Sequence, residues 1–285
     1  MIEHIIDTLV GFLGKILPFK WAQYEFMRRA LLALLLTGPI TGAMGVHVVN
    51  LRMSFFADAI SHSAFTGIAV GLIIGIQPKY TLIGLALLVA FGIARLIRRT
   101  NLSTDTVIAV FFAGAVALGV AVISRQKAFG QSIDAFLFGD VIAVSSLDVF
   151  LALCLFIAVF VYLLYAHNQL VMIALDANLA SAEGIRVELQ QMLFSLLLAM
   201  TVAISINTVG ILLVTAMLVV PAATARNLTF GASGNFWWSV GIATAAGILG
   251  VVSSFYLETA TGATVVLYSI IAFVISLIYN WIKGR

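Results

Sequence analysis

Asp58 and His62 stand four residues apart in the run Met53-Ser-Phe-Phe-Ala-Asp58-Ala-Ile-Ser-His62-Ser-Ala-Phe-Thr-Gly67, inside a segment long and apolar enough to span a bilayer. On a helix this spacing stacks them on one face, so a carboxylate oxygen and a ring nitrogen can address one ligand. Ser54 and Ser61 add polar atoms on or near that face. Carboxylate with neutral imidazole suits a hard or borderline divalent ion such as manganese, iron(II) or zinc. An acid near the middle of a spanning helix costs roughly 2.5 to 3.5 kcal/mol on insertion scales, which marks Asp58 as a functional residue by default.

Two protein ligands do not complete a coordination shell, since zinc takes about four ligands and octahedral ions about six. Water, backbone carbonyls or other segments must supply the rest, with Ser61, His47 and Asn207 as secondary candidates. Incomplete protein coordination suits an ion that must leave again. Two other readings of the pair stay open at this point. Asp58 and His62 can satisfy each other as a structural hydrogen-bonded pair, or form the proton relay or ion filter of a secondary transporter or channel.

The elements that position these residues follow from composition. The chain has 285 residues, is 62% hydrophobic and only 9% charged, and has a mean hydropathy of +1.15. That leaves too little polar surface to cover a soluble globule, and predicts an all-α polytopic membrane helix bundle. Apolar runs fall at about 30–50, 54–75, 79–97, 104–124, 148–166, 188–208, 210–226, 236–256 and 263–282, giving eight or nine transmembrane helices. A net charge of +3 from scattered basic residues gives no case for nucleic acid. The lone Cys154 excludes an internal disulfide and is expected to pack in the core. Residues 1–25 form a separate amphipathic segment: Ile2, Ile5, Ile6, Leu9, Leu13, Ile16 and Leu17 recur at helical spacing before Pro18, predicting an interfacial helix followed by Trp21 and Tyr24 at headgroup level.

With Arg95, Arg98 and Arg99 on the cytoplasmic side, parity puts Arg52, Arg186, Arg226, Lys283 and Arg285 there too, against Lys79, Arg125 and Lys127 outside. The same parity places the N-terminus outside with Lys15, Lys20, Arg28 and Arg29, which runs against the rule. Two intervals, Arg125 to Leu147 and His167 to Val187, are long enough to carry structure of their own. In the first, Asp134 and Asp140 are placed to concentrate cations at an outer mouth. In the second, Asp176 to Arg186 reads as a short exposed cytoplasmic helix closed by Gly184, a docking knob for a partner.

Taken together, these stretches resemble the ABC-3 family of bacterial manganese, zinc and iron importers. Leu51 to Gly67 resembles its second-span signature, Phe138-Gly-Asp140-Val-Ile-Ala-Val144 its extracytoplasmic motif, Asp176 to Gly184 its cytoplasmic loop, and Val209 to Ala225, with Pro221, its seventh-span motif. The resemblance is collinear from about residue 26 to 282. It implies that 26–285 is a transmembrane permease domain of the bacterial cell membrane, with a cytoplasmic coupling loop at about 167–187. It further implies a homodimer, two cytoplasmic ABC ATPase subunits, and an extracytoplasmic binding protein that delivers the metal. The resemblance places the metal path at Asp58 and His62 and ATPase coupling at Asp176, Ala180, Glu183 and Gly184, and implies that the metal is cargo, with no cofactor held permanently. The chain departs from the pattern at Leu51, often Arg, and at Thr66, often Pro, which puts a proline kink in that helix in doubt. No GxxxxGK[ST] and no HExxH occurs, so ATP hydrolysis belongs to a partner and the chain is not itself an enzyme.

Overall fold

The computed structural model describes residues 6–8, 10, 11, 14, 18–124 and 144–283, without the side chains of 123, 207–209, 211 and 212. Every regular element among them is helical. After a single 3-10 turn at Lys20–Gln23 come α1 (Glu25–Asn50), α2 (Phe56–Ile74), α3 (Pro78–Arg99), α4 (Thr104–Ser124), α5 (Ser146–Leu175), α6 (Ala177–Ala182), α7 (Val187–Val209), α8 (Ile211–Leu228), α9 (Ala232–Leu257) and α10 (Thr261–Ile282). Eight of these are long and apolar enough to cross a membrane, and α8 supplies a shorter apolar helix over Leu213–Leu228. The chain is therefore an all-α, multi-pass membrane protein, with the eight or nine spans expected.

Two compact units can be distinguished. The first comprises residues 1–46, 135–160 and 204–285, the second 47–134 and 161–203. In the first, Trp21, Met27, Leu31, Leu34, Met217 and Val265 are among the residues that build a buried apolar cluster. Trp21, expected at headgroup level, is thus packed inward at 5% exposure, while Tyr24 stays exposed. Close approach of α1 to α9 depends on Gly42, where a Cβ would come within 2.7 Å of the Ser239 carbonyl. The Ser239 hydroxyl in turn donates to the Gly42 carbonyl at 2.7 Å. Small residues that bring backbones together are the usual device of membrane helix packing.

Residues 6–8, 10, 11 and 14 have helical backbone. Asp7 accepts from Arg29 Nη2 at 3.1 Å and from Ser146 Oγ at 2.8 Å, and Arg29 also reaches Glu25 at 2.6 Å. Arg28 donates to the Ala22 carbonyl at 2.9 Å. Two of the four basic residues that oppose the expected orientation are therefore engaged locally.

The second unit is where the sequence places its chemistry. Its α2 lies against α3 through Gly67 and Gly71, whose missing side chains leave room for Pro78, Thr81 and Leu82. On the other side α2 meets α4. The helix is unbroken from Phe56 to Ile74, with Thr66 buried inside it. No proline kink is present. Instead the Thr66 hydroxyl lies 3.1 Å from the His62 carbonyl and 2.9 Å from the Ala115 carbonyl of α4.

Two further expectations need correction. The segment from His167 is not loop: α5 continues to Leu175, so its 30 residues reach about 45 Å, well beyond the roughly 30 Å of a bilayer core. Asn168 and Gln169 lower the local hydropathy without breaking the helix, since neither is a Gly or Pro. Cys154, expected in the core, is exposed on α5.

Candidate metal site

The geometry at Asp58 starts from the end of α1. The bonds Met53 N–H to Val48 O at 2.8 Å and Arg52 N–H to Val49 O at 3.2 Å close α1 as a Schellman motif, with Arg52 at φ 57° in the position that usually holds glycine. The chain then restarts at Phe56, whose N–H donates to the Met53 carbonyl at 2.9 Å. Asp58 therefore lies in the first turn of α2, not near the middle of a span. A carboxylate there faces the positive end of the helix dipole, worth about 0.3 to 1 kcal/mol, so the insertion penalty assigned to a mid-span acid is reduced.

Asp58 and His62 are both half-buried, one turn apart on α2. The His62 ring meets Phe112 of α4 edge-on, with centroids 5.0 Å apart and planes at 85°. Phe112 and Ala115 share one face of α4, so that face contacts the His62 ring and the Thr66 hydroxyl that backs the same turn. Ser61, three residues after Asp58, is fully buried, and its hydroxyl has no hydrogen-bond partner among the described residues. A buried hydroxyl left unpaired costs about 1 to 3 kcal/mol. Asp58, Ser61 and His62 thus place a carboxylate, an unpaired hydroxyl and an imidazole within two consecutive turns of α2.

His47 does not join this face. Among the described residues no group of three or more His, Cys, Asp or Glu side chains is placed to share a metal ion. His47 is wholly buried, and its Nε2 stands 3.1 Å from Nδ1 of His167 on α5. It pairs with a histidine 120 positions away in the sequence. Asp134, Asp140 and the side chain of Asn207 lie outside the described residues.

The Asp176 to Arg186 segment is a short helix, as expected. Asp176 caps α6, its Oδ1 accepting from Asn178 N at 2.8 Å and Leu179 N at 3.1 Å. Gly184, at φ 83°, closes it in a second Schellman motif, with Ile185 N–H to Ala180 O and Gly184 N–H to Ser181 O both at 3.0 Å. Ala180 is fully buried, whereas Leu179 and Glu183 are exposed.

Sequence reasoning missed three polar contacts in the second unit. Arg98 Nη1 meets Glu188 Oε2 at 2.7 Å, joining the last turn of α3 to the first turn of α7. Gln190 Nε2 donates to Gln169 Oε1 at 2.6 Å, and the Tyr162 hydroxyl lies 3.1 Å from both the carbonyl and Oε1 of Gln190. A pocket of about 40 Å³, enough for one water, is lined by Leu51, Met53, Ile97, Thr104, Gln191 and Ser195 among others. The only sequence signal for these was a set of polar residues inside apolar runs.

The family model described as the ABC 3 transport family matches residues 23–280, nearly the whole chain and both segments just described. The chain belongs to that family. Among relatives of the ABC 3 transport family, the high-affinity zinc uptake system membrane protein ZnuB of Haemophilus influenzae is 31% identical over 255 residues, covering 90% of this chain and 98% of its own. The manganese import system permease protein ScaB of Streptococcus gordonii is 31% identical over 256 residues, covering 89% and 91%. Among solved structures, PsaBC from Streptococcus pneumoniae in complex with Fab superposes with a TM-score of 0.76 at 28% identity, over 99% of this chain and 100% of that one. Membership of the ABC 3 transport family makes the chain a membrane transport component and not itself an enzyme.

Proposed function

We propose that this chain is the permease subunit of a bacterial importer for a divalent transition metal, manganese or zinc, with iron as a further possibility. The observation that carries the reading is the α2 face: Asp58, His62 and the unpaired Ser61 hydroxyl, in a chain whose relatives are named for zinc and manganese uptake. The metal is the cargo. Asp58 supplies charge and oxygen, His62 nitrogen and Ser61 a neutral oxygen, and water completes the shell, so the ion can enter and leave by exchanging waters.

In this reading residues 26–285 form the permease domain. Two copies pair, an extracytoplasmic binding protein delivers the ion, and cytoplasmic ATPase subunits dock on α6. Asp176 and Gly184 fix the shape of the knob, and Leu179 and Glu183 are its exposed contacts. Asp134 and Asp140 are assigned to the outer mouth by sequence position alone.

The test is uptake of a manganese, zinc and iron panel by proteoliposomes holding this chain with its ATPase and binding protein, and Asp58→Ala in parallel. ATP-dependent uptake of one metal, lost in the variant, is the expected result. Uptake that ignores ATP and follows a proton gradient would instead support the secondary-transporter reading of the Asp58/His62 pair.

A further inference from the structure

We propose that the outward face of α3 binds an anionic phospholipid, with the phosphate at Arg95 and Arg99 and the acyl chains along Phe91 and Leu88. The exposed residues of α3 are Tyr80, Gly84, Leu88, Phe91, Arg95 and Arg99. They recur every three or four positions and so form one stripe along the helix, with Leu82, Ala86 and Ile93 buried on the other side. The stripe is graded in polarity. Tyr80 opens it at 68% exposure, Leu88 and Phe91 follow at 65% and 47%, and both charges lie at the far end.

Arg95 sits one turn inside the end of a 22-residue helix, which is about as long as a bilayer core is thick. A guanidinium at that depth is costly unless an anion meets it. The acid that reaches this end of α3, Glu188 of α7, is already paired with Arg98 at 2.7 Å. Neither Arg95 nor Arg99 has an ion pair or a hydrogen bond among the described residues. Four residues apart, the two guanidiniums share one face and can address one phosphate, an anion that suits the paired N–H donors of arginine.

Two other occupants fit less of the stripe. A cytoplasmic protein would neutralise Arg99, yet Leu88 and Phe91 continue the stripe into the apolar layer, where an occupant needs a hydrocarbon tail. A second copy packed here about a two-fold axis along the membrane normal would bring its own Arg95 and Arg99 to the same end, setting four like charges together. A lipid answers both halves, with its head at the arginines and its tails beside the apolar residues. Parity assigns this end of α3 to the cytoplasmic side, where the leaflet surface is anionic.

The purified full-length chain in an uncharged detergent is titrated with dioleoylphosphatidylglycerol and, separately, with dioleoylphosphatidylcholine, and bound lipid is counted by native mass spectrometry. One phosphatidylglycerol per chain is expected. A basic side chain near an anionic headgroup is worth about fivefold in affinity, so a preference of about 25-fold over phosphatidylcholine is expected from the pair. Arg95→Gln with Arg99→Gln should abolish it. Both side chains are exposed, so the double variant keeps its fold, which an unchanged thermal midpoint without added lipid checks. Lys283→Gln, at the end of α10 on the same side of the membrane, should leave the preference in place and so separates a site from general surface charge. Glycerol 3-phosphate, a head without tails, should not displace the lipid at equal concentration. Equal retention of the two lipids, a preference that survives in the double variant, an equal loss in Lys283→Gln, or displacement by glycerol 3-phosphate would overturn the site. So would weakened ATPase binding by the double variant with no lipid preference in either protein, which would give the arginines to a protein partner.

Discussion

Thr66 and Ala115 are joined by a hydroxyl-to-carbonyl contact of 2.9 Å between α2 and α4, made by the residue that stands where the family pattern often has proline. The same hydroxyl lies 3.1 Å from the His62 carbonyl. With one proton to give, it is shared between the two acceptors. Thr66→Val keeps the shape and removes that donor, so a loss of about 1 kcal/mol is expected, the net worth of one buried hydrogen bond. The thermal midpoint in detergent should fall by a few degrees with uptake retained. Loss of uptake at unchanged stability would mean that the contact acts on transport directly.

Phe112 sets the plane of His62 through an edge-on contact. Phe112→Leu preserves apolar volume but removes the aromatic pair, worth about 0.5 to 1.5 kcal/mol beyond area burial. Metal affinity should weaken several-fold in the isolated permease, measured by equilibrium binding, whereas Asp58→Ala should abolish binding at that face. Equal affinities for wild type and Phe112→Leu would show that the ring is not oriented by this contact.

On the proposed reading His62 supplies a ring nitrogen to the ion, so His62→Gln should weaken metal binding at least tenfold in equilibrium dialysis of the isolated protein. Unchanged affinity would argue against imidazole coordination.

Gly184→Ala separates backbone strain from crowding, because a Cβ there meets nothing within 4 Å, yet φ is 83°. About 1 kcal/mol of local destabilisation is expected. The α6 helix should loosen and, on the proposed docking role, metal transported per ATP should drop while the ATPase alone is unaffected. Asp176→Ala removes the N-cap, at a cost of about 0.5 to 2 kcal/mol, and should act in the same direction. Both readouts come from one coupled assay, and unchanged coupling in both variants would remove α6 from the docking role.

Arg98 and Glu188 tie the end of α3 to the start of α7, and Glu188 is 85% exposed. Exposed ion pairs contribute about 0 to 1 kcal/mol, so Glu188→Gln should leave the thermal midpoint almost unchanged. Its expected effect is on coupling, since α7 follows α6 directly and α3 packs against the helix that bears Asp58. Uptake per ATP should fall. A purely structural pair would shift stability instead.

What was legible in the sequence was local. The acid and imidazole on one face of α2 follow from a four-residue spacing, and α6 from a short helix-compatible stretch closed by Gly184, whereas the Asp176 cap emerges only in the structure. The start of α2 was not legible, because it depends on Arg52 adopting a left-handed conformation that nothing local to the sequence announces. The length of α5 was hidden by Asn168 and Gln169, which interrupt hydropathy but not hydrogen bonding along the helix. Pairings such as His47 with His167 or Thr66 with Ala115 depend on which helices meet, and a single chain's periodicity holds no record of that.

One glycine separates α7 from α8. Gly210 sits at φ 89°, ψ 158°, a combination essentially confined to glycine. In a saturation library selected for growth on limiting metal, this codon should therefore return glycine alone, while its neighbours tolerate exchange. Its intolerance would have nothing to do with ligands or partners. A purely geometric requirement would then look, in any mutational scan, like the signature of an active residue.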